Sequence, residues 1–299
     1  MTVSEQSSRV MPDHEPGGHR PRFSVVIPAY NEAEVLGDCL ASLQEQDFPG
    51  PYEIVVVDNN STDDTAAVAR SRGVVVVREA RPGVCRARQS GTQRATGEIV
   101  VSTDADTVFS SDWLSRIDRA FRDDPGRVAV AGPCRFVDAP WWGRIYAWAL
   151  FRLVDLAARL TGRIPYATAT NIAFRKSAWP GYDTRATQGG DELGLLRRMR
   201  SRGAMAFDVG NPVFTSSRRL YRGLAYNIVV TFGFYYVLGY ALNRLAGRAL
   251  IGMAPAFREP GRPRRSRRTL PGLLAFSARL AVVVIGGALA VHLAGRWWR

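Results

Sequence analysis

Hydrophobic and polar positions alternate in blocks along the first half of the chain. Phe23-Ser-Val-Val-Ile-Pro28 is an apolar run that reads as a strand. It is followed by a helix from about Glu32 to Gln46, with Val35, Leu36, Leu40 and Leu43 on one face. Glu53-Ile-Val-Val-Val57 predicts a second strand ending at Asp58. Ser61-Thr-Asp-Asp64 has the form of a helix start, with Ser61 or Thr62 as the cap and the helix running to Arg72. Val74 to Val77 is a third strand, and a helix over Val84–Ala95 precedes a fourth, Glu98-Ile-Val-Val-Ser102. Asp112-Trp113 opens a helix ending near Arg122, and Val128 to Ala131 is a fifth strand.

Short, nearly continuous apolar strands alternating with helices predict an α/β fold: a Rossmann-like, mostly parallel sheet with helices on both faces. Such sheets bind ligands beyond the carboxyl ends of their strands. Polar groups gather at those ends: Asn31 and Glu32 after the first strand, Asp58 to Ser61 after the second, Asp104 and Asp106 after the fourth.

The pattern changes at Trp141. Trp141, Trp142, Ile145, Tyr146, Trp148, Phe151, Leu153 and Leu156 form a broad aromatic-apolar surface broken by Arg144, Arg152 and Asp155. This segment fits an interfacial amphipathic helix and, equally, a buried helix of the main domain. Two apolar runs, 225–242 and 280–294, approach the roughly 20 residues that span a bilayer. Between them, 258–268 carries six arginines and one glutamate. The positive-inside rule puts that loop in the cytoplasm. The main domain is expected there too, since residues 1–20 are polar and lack the apolar core of a signal peptide. A single crossing would separate the two, so the first run is expected to lie in or re-enter the interface. The second is the better spanning candidate, with Trp297 and Trp298 as an anchor. Three regions are expected: a disordered tail over 1–20, a catalytic domain over 21–220, and a membrane-associated helical region over 221–299.

Charge agrees with this division. The 299 residues carry 40 Lys and Arg against 27 Asp and Glu, a formal +13. An excess of that size implies an anionic partner. Its arginines flank apolar runs and no nucleic-acid motif is present, so an anionic membrane surface is expected rather than nucleic acid. Cys39, Cys85 and Cys134 are widely spaced and form no C-x-x-C pair, so they are expected as core residues. His14 and His19 lie in the polar tail and are read as solvated.

Asp104-Ala105-Asp106 carries the candidate chemistry. Carboxylates at i and i+2 after a strand can approach one hard divalent cation, Mg or Mn, which in turn binds phosphate oxygens. Such a cation disperses the charge that gathers on a departing diphosphate. Asp58 can accept hydrogen bonds from a base or ribose, Tyr30 can pack on a base, and Glu32 can reach ribose.

Together these stretches resemble the family 2 glycosyltransferases of the glycosyltransferase-A fold. The resemblance rests on Val26-Ile-Pro-Ala-Tyr-Asn-Glu32, Val56-Val-Asp-Asn-Asn-Ser-Thr-Asp-Asp-Thr65, Ala87-Arg-Gln-Ser-Gly91, Ala95-Thr-Gly-Glu98 and Asp104-Ala-Asp106, and spans roughly 23–220. It implies that Pro28, Ala29, Tyr30, Glu32 and Asp58 contact the nucleotide of a UDP- or GDP-linked sugar, with Arg88 at a phosphate. It implies that Asp106 holds the metal and that Asp104, with Ala105 between them, serves ribose or metal. The family's base matches Asp191 in Gln188-Gly-Gly-Asp-Glu-Leu193, where Gly190 stands at the usual Glu position. A base is needed because an acceptor hydroxyl is a poor nucleophile until its proton is removed. Asp191 can also be read as the cap of a helix over Glu192–Arg202. The Q-x-x-R-W sequence of processive members is absent from Thr215-Ser-Ser-Arg-Arg-Leu220, so non-processive transfer is expected. Arg218 or Arg219 would face the diphosphate or an anionic acceptor, and Asn171 the acceptor cleft. The implied activity is inverting, metal-dependent transfer of a hexose-type sugar to a lipid-linked or cell-envelope hydroxyl, at the cytoplasmic side of the cell membrane. The rival is a catalytically silent membrane scaffold that only binds the nucleotide-sugar.

Overall fold

The computed structural model describes residues 20–184 and 191–218, with single positions between 220 and 242. The expected tail and the basic 258–268 loop lie outside these residues, as does the 280–294 run and most of the 225–242 run.

The central sheet has seven strands. In chain order they are β1 (Phe23–Ala29), β2 (Tyr52–Asp58), β3 (Val75–Arg78), β4 (Ile99–Ser102), β6 (Arg127–Ala131), β8 (Ile172–Arg175) and β9 (Ala204–Phe207). Their spatial order is β3-β2-β1-β4-β8-β6-β9. β1 pairs in parallel with β2 and with β4, so the chain reverses its direction of travel across the sheet at β1. That reversal opens a crevice at the carboxyl end of the sheet. Ala29 lies opposite Asp58 in the β1–β2 register, which brings both strand ends to one level.

The apolar runs became strands because both faces are covered. Val25, Val26 and Ile27 of β1 and Ile54 to Val57 of β2 are fully buried. The helices are α1 (Ala33–Gln44), α2 (Thr65–Ser71), α3 (Val84–Arg94), α4 (Trp113–Asp123), α5 (Trp141–Thr161) and α6 (Asp191–Met199). α1 buries Leu36, Leu40 and Leu43 as its periodicity required.

The pattern of parallel strands breaks in two places. β8 runs antiparallel to both β4 and β6. A second, three-stranded sheet orders β5 (Thr107–Val108), β10 (Val213–Ser216) and β7 (Cys134–Val137) as β5-β10-β7. β10 pairs antiparallel with β5, placing Thr215 opposite Thr107 and fastening the residues just after Asp104-Ala105-Asp106.

α5 has one side buried against the domain and one side exposed. Gly143, Ala147, Phe151, Val154 and Asp155 are buried, while Trp141, Ile145, Trp148, Leu153, Leu156 and Leu160 are exposed. It ends at Gly162, whose left-handed φ of 64° allows its N–H to close on Ala158 O. Among the described residues, no helix is long and apolar enough to cross a membrane.

Candidate active site

The site begins with two turns that hold each other. Asn31 follows β1 with a left-handed φ of 52°. Its Oδ1 accepts from Thr62 N at 2.8 Å, and its own N–H donates to Ser61 Oγ at 3.0 Å. Asp58 Oδ1 accepts from Ser61 N at 3.0 Å, folding the loop back over the end of β2. Neither Ser61 nor Thr62 caps α2, contrary to expectation. Asp63 serves both helices instead, accepting from Thr65 N at 3.0 Å and from Ala33 N at 3.1 Å. Ser61 is unavailable as a cap because its hydroxyl is engaged by the β1 turn.

A second loop is pinned below this one. Buried Asn59 donates to Glu79 O and Arg81 O and accepts from Gly83 N at 2.8 Å. Arg81, then Ser90, hold the Glu79 carboxyl down at about 2, from an ordinary 4.5. Gly83 precedes α3 with φ of 131°, a region that suits glycine.

α3 contributes Arg88, which is buried behind the strand ends. Its Nη2 donates to Asp104 Oδ1 at 2.6 Å and its Nη1 to Glu192 Oε1 at 3.1 Å. Burial opposes the Arg88 charge, but Asp104 and Glu192 outweigh it and raise its pKa above the ordinary value. Arg88, expected at a phosphate, is 4% exposed and engaged by two carboxylates. Arg88 positions Asp104 and ties it to the first turn of α6. Glu192, the neighbour of the expected base Asp191, is the α6 residue on Arg88. Asp191 is the first residue of α6, and its side chain lies outside the described residues.

Asp106 belongs to a second ion cluster. Its Oδ1 accepts from Thr215 Oγ1 at 3.2 Å and its Oδ2 from Arg218 Nη2 at 2.9 Å. Arg218 Nη2 also donates to Glu32 Oε2 at 3.1 Å. Burial lowers the Arg218 pKa, while Asp106 and Glu32 raise it above the ordinary value. Ala105, in the turn between β4 and β5, is buried in the core at 3% exposure. Tyr30 is exposed at the rim, whereas Ala29 is buried and Pro28 half-buried.

Asn171 does not line a cleft. It is buried, donates to Pro133 O and Asn211 O, and accepts from Trp113 Nε1. Its amide joins the loops around β6, β8 and β10, and no hydrogen-bonding capacity faces an acceptor. All three cysteines are buried and none is in a disulfide, as expected. Burial and then Asp106 hold the Cys39 thiol far up, while burial and then Asp104 push Cys134 up to about 12. Cys39 and Cys134 therefore remain neutral thiols and register the negative field of the two aspartates.

Among the described residues, no group of three or more His, Cys, Asp and Glu forms a metal cage by itself. A hard cation carried in on a diphosphate needs only one or two protein carboxylates, since phosphates and water complete its shell. Asp106 fits that requirement. It is partly exposed and already holds a cationic group, the Arg218 guanidinium.

The glycosyl transferase family 2 model matches residues 24–180, more than half of the chain. The chain belongs to that family. The match begins in β1 and closes beyond β8, so it contains every strand end that carries Glu32, Asp58, Asp104 and Asp106. An uncharacterised glycosyltransferase of Mycobacterium tuberculosis is 34% identical over 169 residues, covering 52% of this chain and 74% of its own. Among solved structures, Staphylococcus aureus TarS superposes with a TM-score of 0.54 at 20% identity, covering 76% of this chain and 72% of its own. The mannosyltransferase PcManGT from Pyrobaculum calidifontis, solved with GDP-Man and Mn2+, gives 0.56 at 22% identity, covering 97% and 85%. At that identity the likeness shows the fold: an α/β, glycosyltransferase-A-like sheet flanked by helices.

Proposed function

We propose that this family 2 glycosyltransferase moves a sugar from a UDP- or GDP-linked donor to a hydroxyl of a lipid-linked or cell-envelope acceptor, with inversion, at the cytoplasmic face of the cell membrane. The observation that carries the donor site is the convergence of Glu32, Asp58, Asp104 and Asp106 on one sheet edge, backed by Arg88 and Arg218. TarS has been solved with UDP-GlcNAc and PcManGT with GDP-Man and Mn2+, which supports a nucleotide-sugar and a divalent cation here.

In this reading Tyr30 packs on the base, Asp58 and Glu32 hold nucleoside hydroxyls, and Pro28 and Ala29 shape the floor. Asp106, with Asp104 beside it, would hold Mg or Mn. Such an ion spreads the negative charge of the departing diphosphate. Arg88 does not touch the donor; it fixes Asp104 and the start of α6. Asp191 takes the proton from the acceptor hydroxyl. The hydroxyl oxygen bonds to the anomeric carbon from the face opposite the diphosphate. The anomeric C–O bond to the diphosphate breaks, and its electron pair leaves with the nucleoside diphosphate. Arg218, paired with Asp106 and Glu32, is placed to meet the diphosphate beside the carboxylates that would hold the ion. The apolar runs and arginine-rich loop of the C-terminal region support attachment to an anionic bilayer.

The test is a thermal-shift screen of UDP- and GDP-sugars with and without Mn2+. At least one donor should stabilise the protein only when the metal is present, and Asp106→Ala should lose that metal-dependent part. Equal stabilisation of Asp106→Ala by donor and metal would overturn the assignment. Asp191→Asn should keep donor binding and lose about 10²- to 10⁴-fold in turnover, the usual worth of a general base.

A further inference from the structure

α5 carries a surface that the transfer chemistry does not use. Its buried side, Gly143, Ala147, Phe151 and Val154, packs on the domain. The opposite side repeats at spacings of three and four: Trp141, Ile145, Trp148, Leu156 and Leu160 are exposed, with Trp148 at 66% and Leu160 at 76%. Arg144, Arg152 and Arg159 are exposed within the same stripe, and the Arg152 guanidinium lies 6.0 Å from the Trp148 ring centre. Asp155 is the helix's one acidic residue. It is buried and paired with Arg159 at 3.0 Å, so the exposed face displays no carboxylate.

A continuous exposed apolar stripe of this kind is uncommon on a soluble surface and marks an interaction site. Its composition selects the partner. Tryptophan and leucine with interleaved arginine, and no exposed acid, match the interface of an anionic bilayer: indoles and aliphatic chains enter at headgroup level while guanidinium groups meet lipid phosphates. An apolar protein groove would match the leucines but offer no counter-charge to Arg144 and Arg152.

We propose that the outward face of α5 docks flat on an anionic lipid bilayer through Trp148, Leu153, Leu156 and Leu160, with Arg144 and Arg152 on headgroup phosphates. The docking has a route to the site. A Cβ on Gly143 would stand 2.7 Å from Leu220 Cδ1, so the first turns of α5 press on the segment just beyond Arg218. Bilayer contact therefore holds the Arg218 side of the edge close to the headgroups. The inference does not depend on the transfer reading and is measured without turnover.

The three native cysteines are buried, so a single introduced cysteine can be labelled selectively. Nitroxide labels at W148C and L156C in the full chain are compared, with and without vesicles, against a control label at R70C on α2. On phosphatidylglycerol-containing vesicles, the α5 labels should gain access to dissolved oxygen and lose access to an aqueous nickel complex, while the control stays water-accessible. Adding R144Q and R152Q should weaken that shielding at limiting lipid by about 25-fold, at about fivefold per basic residue near an anionic surface. α5 labels that stay open to nickel on vesicles would overturn the proposal. Equal shielding without lipid would also overturn it, showing the face covered by another part of the chain or a second copy.

Discussion

At the residue scale, the candidate site is two carboxylates held by two different cations. Arg88 is buried and forms a closed Asp104–Arg88–Glu192 bridge. Removing the cation takes the counter-charge from buried Glu192 and from Asp104, which is a third exposed. Arg88→Met is therefore expected to destabilise by about 3–5 kcal/mol, read from urea denaturation at fixed m-value. The Arg218 pair is more exposed, and its loss should change stability by no more than about 1 kcal/mol. Its effect should appear in cation binding. Arg218 competes for Asp106 and Glu32, so Arg218→Ala should tighten Mn2+ binding in the absence of donor, measured by free-Mn2+ EPR titration. Unchanged or weaker Mn2+ binding would mean that Arg218 does not occupy the cation position. The D-x-D pattern made Asp106 visible from sequence. Glu192 was not visible as a partner because an ion pair 104 residues apart leaves no local pattern.

At the element scale, β1 to β4, β6 and the helices between them were legible and the remaining strands were not, for a physical reason. β1, β2 and β4 are buried almost throughout and β3 in part, so their sequences are mostly apolar. β7, β9 and β10 have four residues each with mixed burial, and β5 has two, too short for a period to register. The same mixture of exposed and buried positions explains why α5 supported two readings at once. Gly91, which sequence offered only as part of a motif, has a packing role. A Cβ there would stand 2.4 Å from Val26 Cγ1 and 2.7 Å from Val57 Cγ2, so glycine lets α3 lie close on β1 and β2 and carry Arg88 under the strand ends. Gly91→Ala should cost about 1–3 kcal/mol by overpacking, with a lowered denaturation midpoint as the readout. The loop before α3 adds an acid-sensitive element. Glu79 has its pKa lowered to about 2 from 4.5, so its stabilisation is present above pH 4.5 and is lost as pH falls toward 2. Glu79→Gln should flatten the melting temperature against pH across that window.

For the whole molecule, the sheet order determines which polar groups meet. Because β1 lies between β2 and β4, the turns after three strands that are separate in sequence come to one edge of the sheet, where one ligand can touch several of them. Binding to the folded state alone raises stability by RT ln(1 + [L]/Kd), about 2.7 kcal/mol at a hundred times Kd. A donor that uses both the Asp58 turn and Asp106 should therefore give that full gain with Mn2+. It should give part of it with EDTA, when only the nucleoside side is held. Denaturation of the wild type and of Asp58→Ala and Asp106→Ala, each with donor and either Mn2+ or EDTA, separates the contributions. Asp106→Ala should match the wild type in EDTA and lack the Mn2+ increment. Asp58→Ala should lose stabilisation in both conditions. If both substitutions instead left the Mn2+ increment intact, the donor would bind away from the crevice that the β1 reversal creates.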